Sequence, residues 1–323
     1  MPESKARNFE IFEMVQHFKN FNSKGHSMRK SIGFIGLGVL GSAMAANLLK
    51  EGFRVSGYDI RPEASENLRK LGLTAGSSPK DIADKTEVVI TCLPTISSLH
   101  DVYAGKDGLH KSSQFDQILL ETSTFPVAEK ERAREAISTS GTRMLDCPVS
   151  GNRMLAEQKK LTAFASGNEM DYEIVKDVIG GFASRQFYVG EFGCGMKMKF
   201  CGNILNLVHN AAAAEVMVLG MKSGLDPELI HKVISGSGSS SSMFETRGAL
   251  MVADDYDYHG SNFSISIKDS RFISQHAHDL SVPTPIYHVA LQAYYAAVAQ
   301  GHYNEDAAAV IKAMERAANV ERR

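Results

Sequence analysis

The chain has 323 residues, 43% of them hydrophobic and 22% charged, which suits a folded globular protein with room for more than one core. A formal net charge of −2 supplies no basic field for nucleic acid or an anionic membrane, and no uninterrupted apolar run approaches the ~18 residues of a membrane span. The four cysteines, Cys92, Cys147, Cys194 and Cys201, form neither a C-x-x-C pair nor a metal-ligand spacing and read as reduced thiols of an intracellular, cytoplasmic protein.

Residues 1–27 read as an N-terminal extension. Phe9, Phe12, Met14, Val15 and Phe18 suit one face of a short helix, while Glu3, Glu10 and Glu13 count against a transit peptide. Ser31 to Ile35 then reads as a buried strand, followed at once by G-x-G-x-x-G and a stretch of helical composition, Ser42 to Lys50. Each glycine has a separate task in a dinucleotide-binding turn. Gly36 permits the tight turn, Gly38 lets backbone approach a pyrophosphate, and Gly41 lets helix and sheet pack closely. The helix start at Leu37, Val39 and Leu40 offers unpaired N–H groups to phosphate. Arg54 to Tyr58 reads as the next strand, and Asp59 follows at about the ~20-residue spacing of the acid that binds the adenosine ribose. A carboxylate there favours NAD and repels the extra phosphate of NADP; Arg61 relieves that repulsion and leaves NADP open.

Short apolar runs continue at Val88–Thr91, 117–120, Arg143–Asp146, Leu161–Ala165 and 186–189, alternating with helical candidates at 126–139 and 170–179. Such alternation predicts a doubly wound, mainly parallel sheet for residues 28–191. From residue 192 the pattern becomes all helical. One long helix is expected over 196–223, Asp226-Pro227 opens another, and segments follow at 243–252, 264–280, 285–300 and 305–319. The run Gly236-Ser237-Gly238-Ser239-Ser240-Ser241-Ser242 reads as an ordered loop near a cleft. The fold class is therefore α/β, with an N-terminal Rossmann-type sheet and an all-helical C-terminal domain, residues 192–323, joined by the long helix.

Three further segments carry chemistry. Asp146-Cys147-Pro148-Val149-Ser150-Gly151-Asn152 ends a strand and frees the Ser150 hydroxyl and two backbone N–H groups for a carboxylate. Gly193-Cys194-Gly195 leads into Lys199 and Asn203, which stand i and i+4 on one helix face. Lys197 points away from that face. Lys268-Asp269 lies on a later helix. Histidines 209, 231, 276, 278 and 288 are spread over helices without ligand spacing, apart from His276-x-His278, which a helix would splay apart, so no metal site is expected.

Taken in order, these motifs resemble the β-hydroxyacid dehydrogenase family over residues 30–320. That family includes 3-hydroxyisobutyrate dehydrogenase, tartronate semialdehyde reductase and L-threonate dehydrogenases. The resemblance implies hydride exchange between a nicotinamide and a short hydroxy acid or its semialdehyde. Lys199 is implied as the general acid/base, with Asn203 orienting it and Ser150, Gly151 and Asn152 holding the carboxylate. Leu93, Pro94, Ser98, Thr124 and Lys268 are implied to border the cofactor, and a homodimer or homotetramer is implied through the helical domain. Two positions depart from the family pattern: Asn152 replaces its second glycine and Gly202 its first asparagine. The alternative is a catalytically silent dinucleotide-binding protein of the same fold. A decarboxylating 6-phosphogluconate dehydrogenase would need a larger helical domain, and imine reductases usually lack the lysine.

Overall fold

A computed structural model describes residues 30–257 and 262–322; the expected extension of residues 1–27 lies outside them. The chain opens with β1 (Ser31–Ile35), α1 (Val39–Lys50), β2 (Arg54–Tyr58), a short helix α2 (Glu66–Arg69), β3 (Thr74–Ala75) and α3 (Pro79–Ala83). Next come β4 (Val88–Thr91), α4 (Ile96–Ala104), β5 (Ile118–Glu121), α5 (Val127–Ile137) and β6 (Arg143–Asp146). These six strands form one parallel sheet in the order β3-β2-β1-β4-β5-β6. Strands β4 and β5 are buried at every residue, because helices cover both faces of a parallel sheet. The order reverses between β1 and β4, which is where open sheets of this kind leave a ligand crevice.

The later apolar runs do not extend this sheet. β7 (Val149–Ser150), α6 (Arg153–Glu157), β8 (Leu161–Ala165), α7 (Glu169–Phe182) and β9 (Ala183–Tyr188) build a second unit. Its three strands pair in the order β7-β8-β9, with β7 antiparallel to β8. Pro148 explains the break, since it lacks the N–H needed to carry the ladder past β6. The two sheets touch through a bridge between Asp146 and Ser166. Helix α7 also runs on through Gly180 and Gly181, where a stop was expected. At Gly181 a β-carbon would press on Leu48, so that glycine serves packing between α7 and α1.

The remaining helices are α8 (Cys194–Lys222), α9 (Pro227–Ile234), α10 (Ser242–Ala253), α11 (Phe263–Asp279), α12 (Pro285–Ala299) and α13 (Val310–Ala318). They share a separate core running from Met196 to Ala313. Helix α8 is its axis and packs against α10, α12 and α13. By length and composition α8 is apolar enough to cross a membrane, which corrects the expectation that no segment qualifies. Lys199, Asn203, Asn206 and Asn210 interrupt the run in the sequence, and the helix here packs on protein.

Candidate active site

The glycine turn shows why each glycine is needed. Gly36 has φ +92°, and a β-carbon on it would strike the carbonyl oxygen of Cys92 at the end of β4. A β-carbon on Gly41 would strike the carbonyl of Gly36, so α1 can pack against its own turn only through glycine. Gly38 differs: nothing lies within 4 Å of the position its β-carbon would take. It faces a cleft of about 830 Å³ that runs along the carboxyl ends of β1, β4 and β5. The first-turn N–H groups of α1 lack partners within the helix and sit at this cradle, which has the shape and donors a pyrophosphate requires.

Asp59, at the end of β2, lines the same cleft. One carboxylate oxygen accepts from the Leu37 N–H at 2.8 Å, and the other accepts from the Arg61 N–H at 2.9 Å and its Nε at 3.3 Å. The acid therefore staples its strand end to the glycine turn, while the Arg61 side chain stays 60% exposed at the rim. Leu37 is the one residue of the expected cofactor set that does not line the cleft. Its side chain is buried in the sheet core, and its amide is committed to Asp59.

Leu93, Pro94, Ser98 and Thr124 line the opposite wall, on the loops after β4 and β5. These loops are held from beneath by Glu121, which is fully buried. Its carboxylate accepts from the Ser123 N–H at 2.7 Å, from the Tyr103 hydroxyl at 3.2 Å and from Thr91, and Ser123 Oγ in turn accepts from the Leu93 N–H at 2.7 Å.

The helical domain meets this wall at Lys268 of α11. Its Nζ donates to the Thr124 carbonyl at 3.3 Å and lies 3.3 Å from Asp269 Oδ1. That contact has ion-pair distance but not hydrogen-bond alignment, so Asp269 Oδ1 is buried without a hydrogen-bond donor among the described residues. The other Asp269 oxygen accepts from Asn203 Nδ2 at 3.0 Å. Asn203 is thus bound to Asp269, where Lys199 was the expected partner. Lys199 itself is 8% exposed, while Lys197 is exposed on the other side of α8.

Burial holds the Lys199 ammonium below its ordinary pKa; Asp269 opposes that shift and the nearby Lys268 cation adds to it. Burial likewise raises the Asp269 carboxyl, against the pull of Lys268 and Lys199. Both groups are pushed toward their neutral forms, as suits side chains that exchange a proton near neutral pH.

Ser150, Gly151 and Asn152 lie beyond the lining of the main cleft. Ser150 belongs to β7, and Gly151 has φ +139°, a backbone state reserved for glycine. Asn152 caps α6: its side-chain oxygen accepts from the Leu155 N–H at 3.0 Å. Its side-chain oxygen is thereby occupied by a structural bond. None of the residues 236–242 lines the cleft either. That loop is instead ordered by Glu245, which accepts from the Gly236 N–H and the Ser240 hydroxyl.

Sequence reasoning missed what holds α8 in place. Asp146 and Lys130 are both fully buried, with Lys130 Nζ donating to Asp146 Oδ1 at 2.7 Å. The second Asp146 oxygen accepts from the Met196 N–H at 2.9 Å, and Ser166 Oγ accepts from the Gly195 N–H at 2.9 Å. The first turn of the helix that carries Lys199 is therefore capped by the other domain. Asp146 was visible as the head of its motif, whereas Lys130 looks in sequence like an ordinary polar residue of a surface helix.

A glycine cradle opening on a cleft, a carboxylate at the second strand and a buried lysine where two domains meet define an NAD(P)-dependent dehydrogenase. Residues 31–190 match the NAD binding domain of 6-phosphogluconate dehydrogenase, and residues 193–314 match the NAD-binding domain of NADP-dependent 3-hydroxyisobutyrate dehydrogenase. The chain belongs to the 3-hydroxyisobutyrate dehydrogenase family of hydroxy-acid dehydrogenases. It is 33% identical to an L-threonate dehydrogenase of Cupriavidus necator, over 88% of this chain and 96% of that one. It is 31% identical to the mitochondrial 3-hydroxyisobutyrate dehydrogenase of Rattus norvegicus, over 90% and 88% respectively. Among solved structures it resembles 3-hydroxyisobutyrate dehydrogenase from Salmonella typhimurium, with TM-score 0.79 and 29% identity over 88% of this chain and 99% of that one. The Mycobacterium tuberculosis enzyme, solved with L-serine, gives TM-score 0.80 and 26% identity over 89% and 99%.

Proposed function

We propose that this dehydrogenase interconverts a short β-hydroxy acid and its semialdehyde or keto partner, with Lys199 as the general acid/base. The observation that carries the reading is a lysine 8% exposed, beside Lys268 and Asp269; those two line the dinucleotide cleft, and Lys199 lies behind them, outside its lining. A bound nicotinamide dinucleotide would supply the hydride acceptor, its pyrophosphate cradled by Gly36, Gly38, Val39 and Leu40, with Asp59 and Arg61 at the adenosine end and Leu93, Pro94, Ser98, Thr124 and Lys268 toward the ring. In oxidation, neutral Lys199 takes the hydroxyl proton; in reduction its ammonium returns one. Asn203 fixes Asp269 beside it, and Asp269 shares the proton. The Ser150 hydroxyl and the backbone N–H groups of Ser150 and Gly151 hold the substrate carboxylate, with Asn152 beside them.

Asp59 supports NAD as the preferred form. The acid is drawn from the class that includes 3-hydroxyisobutyrate, L-threonate and glycerate. Exposed Leu219 of α8, Leu229 and Val233 of α9, and Ile286 and Val289 of α12 support a homodimer or homotetramer built on the helical domain. Four free thiols are in keeping with a cytoplasmic home.

The test is a panel of short hydroxy acids with NAD and with NADP, followed at the reduced-nicotinamide absorbance band. Turnover of one β-hydroxy acid that Lys199→Ala abolishes is expected. Turnover that survives Lys199→Ala removes the lysine from the mechanism.

A further inference from the structure

Six carboxylates are buried among the described residues. Five have a cation at ion-pair distance: Asp146 has Lys130, Asp171 has Arg143, Asp269 has Lys268, Asp306 has Arg247 and Glu315 has Arg322. Glu121, the sixth, is fully buried and forms no ion pair among the described residues. Lys130 reaches its backbone carbonyl at 3.4 Å, but the charge of Lys130 is matched by Asp146 at 2.7 Å. A buried charge without a partner of opposite sign is costly, so this one calls for a reason.

Hydrogen bonds hold the carboxylate without cancelling its charge. The Ser123 N–H donates to one oxygen, and the Thr91 and Tyr103 hydroxyls donate to the other. Burial and this negative neighbour push the Tyr103 hydroxyl well above its ordinary pKa, so it keeps its proton and stays a donor.

The place of the charge indicates its partner. Glu121 ends β5 beside Thr91, which ends β4. Ser123, whose N–H it binds, lines the dinucleotide cleft, as do Leu93 and Thr124. The anion thus stands directly behind the wall of the cleft, and its field reaches the cleft through low-permittivity protein. The other charges nearby come as matched pairs, Lys268 with Asp269 and Lys130 with Asp146.

We propose that Glu121 is the counter-charge for an oxidised nicotinamide: its carboxylate favours the cationic ring over the neutral, reduced one. The bound equilibrium is thereby biased toward reduction of the carbonyl compound. This rests on the loops after β4 and β5 bordering the ring, as in the proposed function.

The experiment measures dissociation constants by calorimetry for the oxidised dinucleotide, the reduced dinucleotide and adenosine diphosphoribose, which lacks the ring. The proteins are the wild type, Glu121→Gln, Glu121→Asp and Tyr103→Phe, with melting temperatures alongside. The wild type should hold the oxidised form at least as tightly as the reduced one. Glu121→Gln keeps the size of the side chain without its charge. It should weaken the oxidised form about tenfold relative to the reduced one, the effect of a unit charge felt across ~10 Å of protein, and leave adenosine diphosphoribose nearly unchanged. Glu121→Asp and Tyr103→Phe keep the charge and should keep the wild-type ratio even where they melt lower.

An unchanged ratio in Glu121→Gln overturns the inference. So do equal losses on all three ligands, the mark of a slackened wall. If Glu121→Gln does not fold, the wild type decides: a reduced form bound about tenfold tighter than the oxidised one overturns the inference. If all three ligands bind the wild type alike, the ring is not held at these loops, and that part of the proposed function falls with the inference. Turnover that depends on Lys199 is read separately and survives every other outcome.

Discussion

Lys130→Met probes the pair that anchors α8. Both charges are fully buried and lie 2.7 Å apart. At an effective permittivity of ~20 their attraction is about 6 kcal/mol, much of it offset by the cost of taking both from water. Methionine fills similar volume but leaves the Asp146 carboxylate with only the Met196 N–H and the Ser166 hydroxyl. Breaking a buried pair in this way costs about 3–5 kcal/mol. In Lys130→Met/Asp146→Asn the charge is gone, and the amide oxygen can still accept from Met196. The double variant should therefore lose less than the sum of the two single ones, by about 1–3 kcal/mol. Urea unfolding of the wild type and all three variants, followed by far-ultraviolet circular dichroism, measures this coupling. Additivity within about 0.5 kcal/mol would refute the claim that these two residues act as one anchor.

Further predictions concern the chemistry. Lys199→Ala should lower kcat by about 10²–10⁴-fold while the dissociation constant for the dinucleotide, read by fluorescence titration, stays within about twofold. In oxidation the rate should rise with pH as Lys199 loses its proton, with an inflection below the ordinary lysine value of ~10.4, because burial disfavours the ammonium. Asp269→Asn removes an anion that stabilises the ammonium and should move that inflection down; Lys268→Met removes a repelling cation and should move it up. Shifts of the same sign in the two kcat profiles would contradict the arrangement. Gly38→Ala should leave the melting temperature unchanged and weaken dinucleotide binding at least about tenfold, since its β-carbon meets no protein atom and projects into the cleft. Gly36→Ala should instead lower the melting temperature, because strain at φ +92° and the collision with Cys92 act on the fold itself.

How much of this was legible in the sequence depended on whether a residue's task is local. Gly36, Gly38 and Gly41 were legible because a tight turn, a close approach and a helix contact are settled within a few residues of chain. Asp59 was reached by spacing alone, though not its bonds to Leu37 and Arg61. The alternation of apolar runs gave the main sheet but not the departure of β7, β8 and β9, which turns on the single missing N–H of Pro148. At the substrate end, tertiary contacts overrode the pattern. Asn152 serves as a helix cap, and Asn203 holds Asp269. Lys130 is invisible as a core residue because nothing in a helix rich in charged residues tells which charge faces inward. Asp269 stood beside Lys268 in its motif and went unread as part of the site; a carboxylate next to a lysine ordinarily signals a solvated pair.

The cap on α8 also restricts motion. Enzymes built from two lobes around a crevice often work by swinging about the connecting segment. Here that segment is pinned on its far side, with Gly195 and Met196 tied to Ser166 and Asp146, so residues 189–193 are a poor hinge. Free and liganded forms should accordingly superpose on one unmoving frame made of the main sheet and the start of α8.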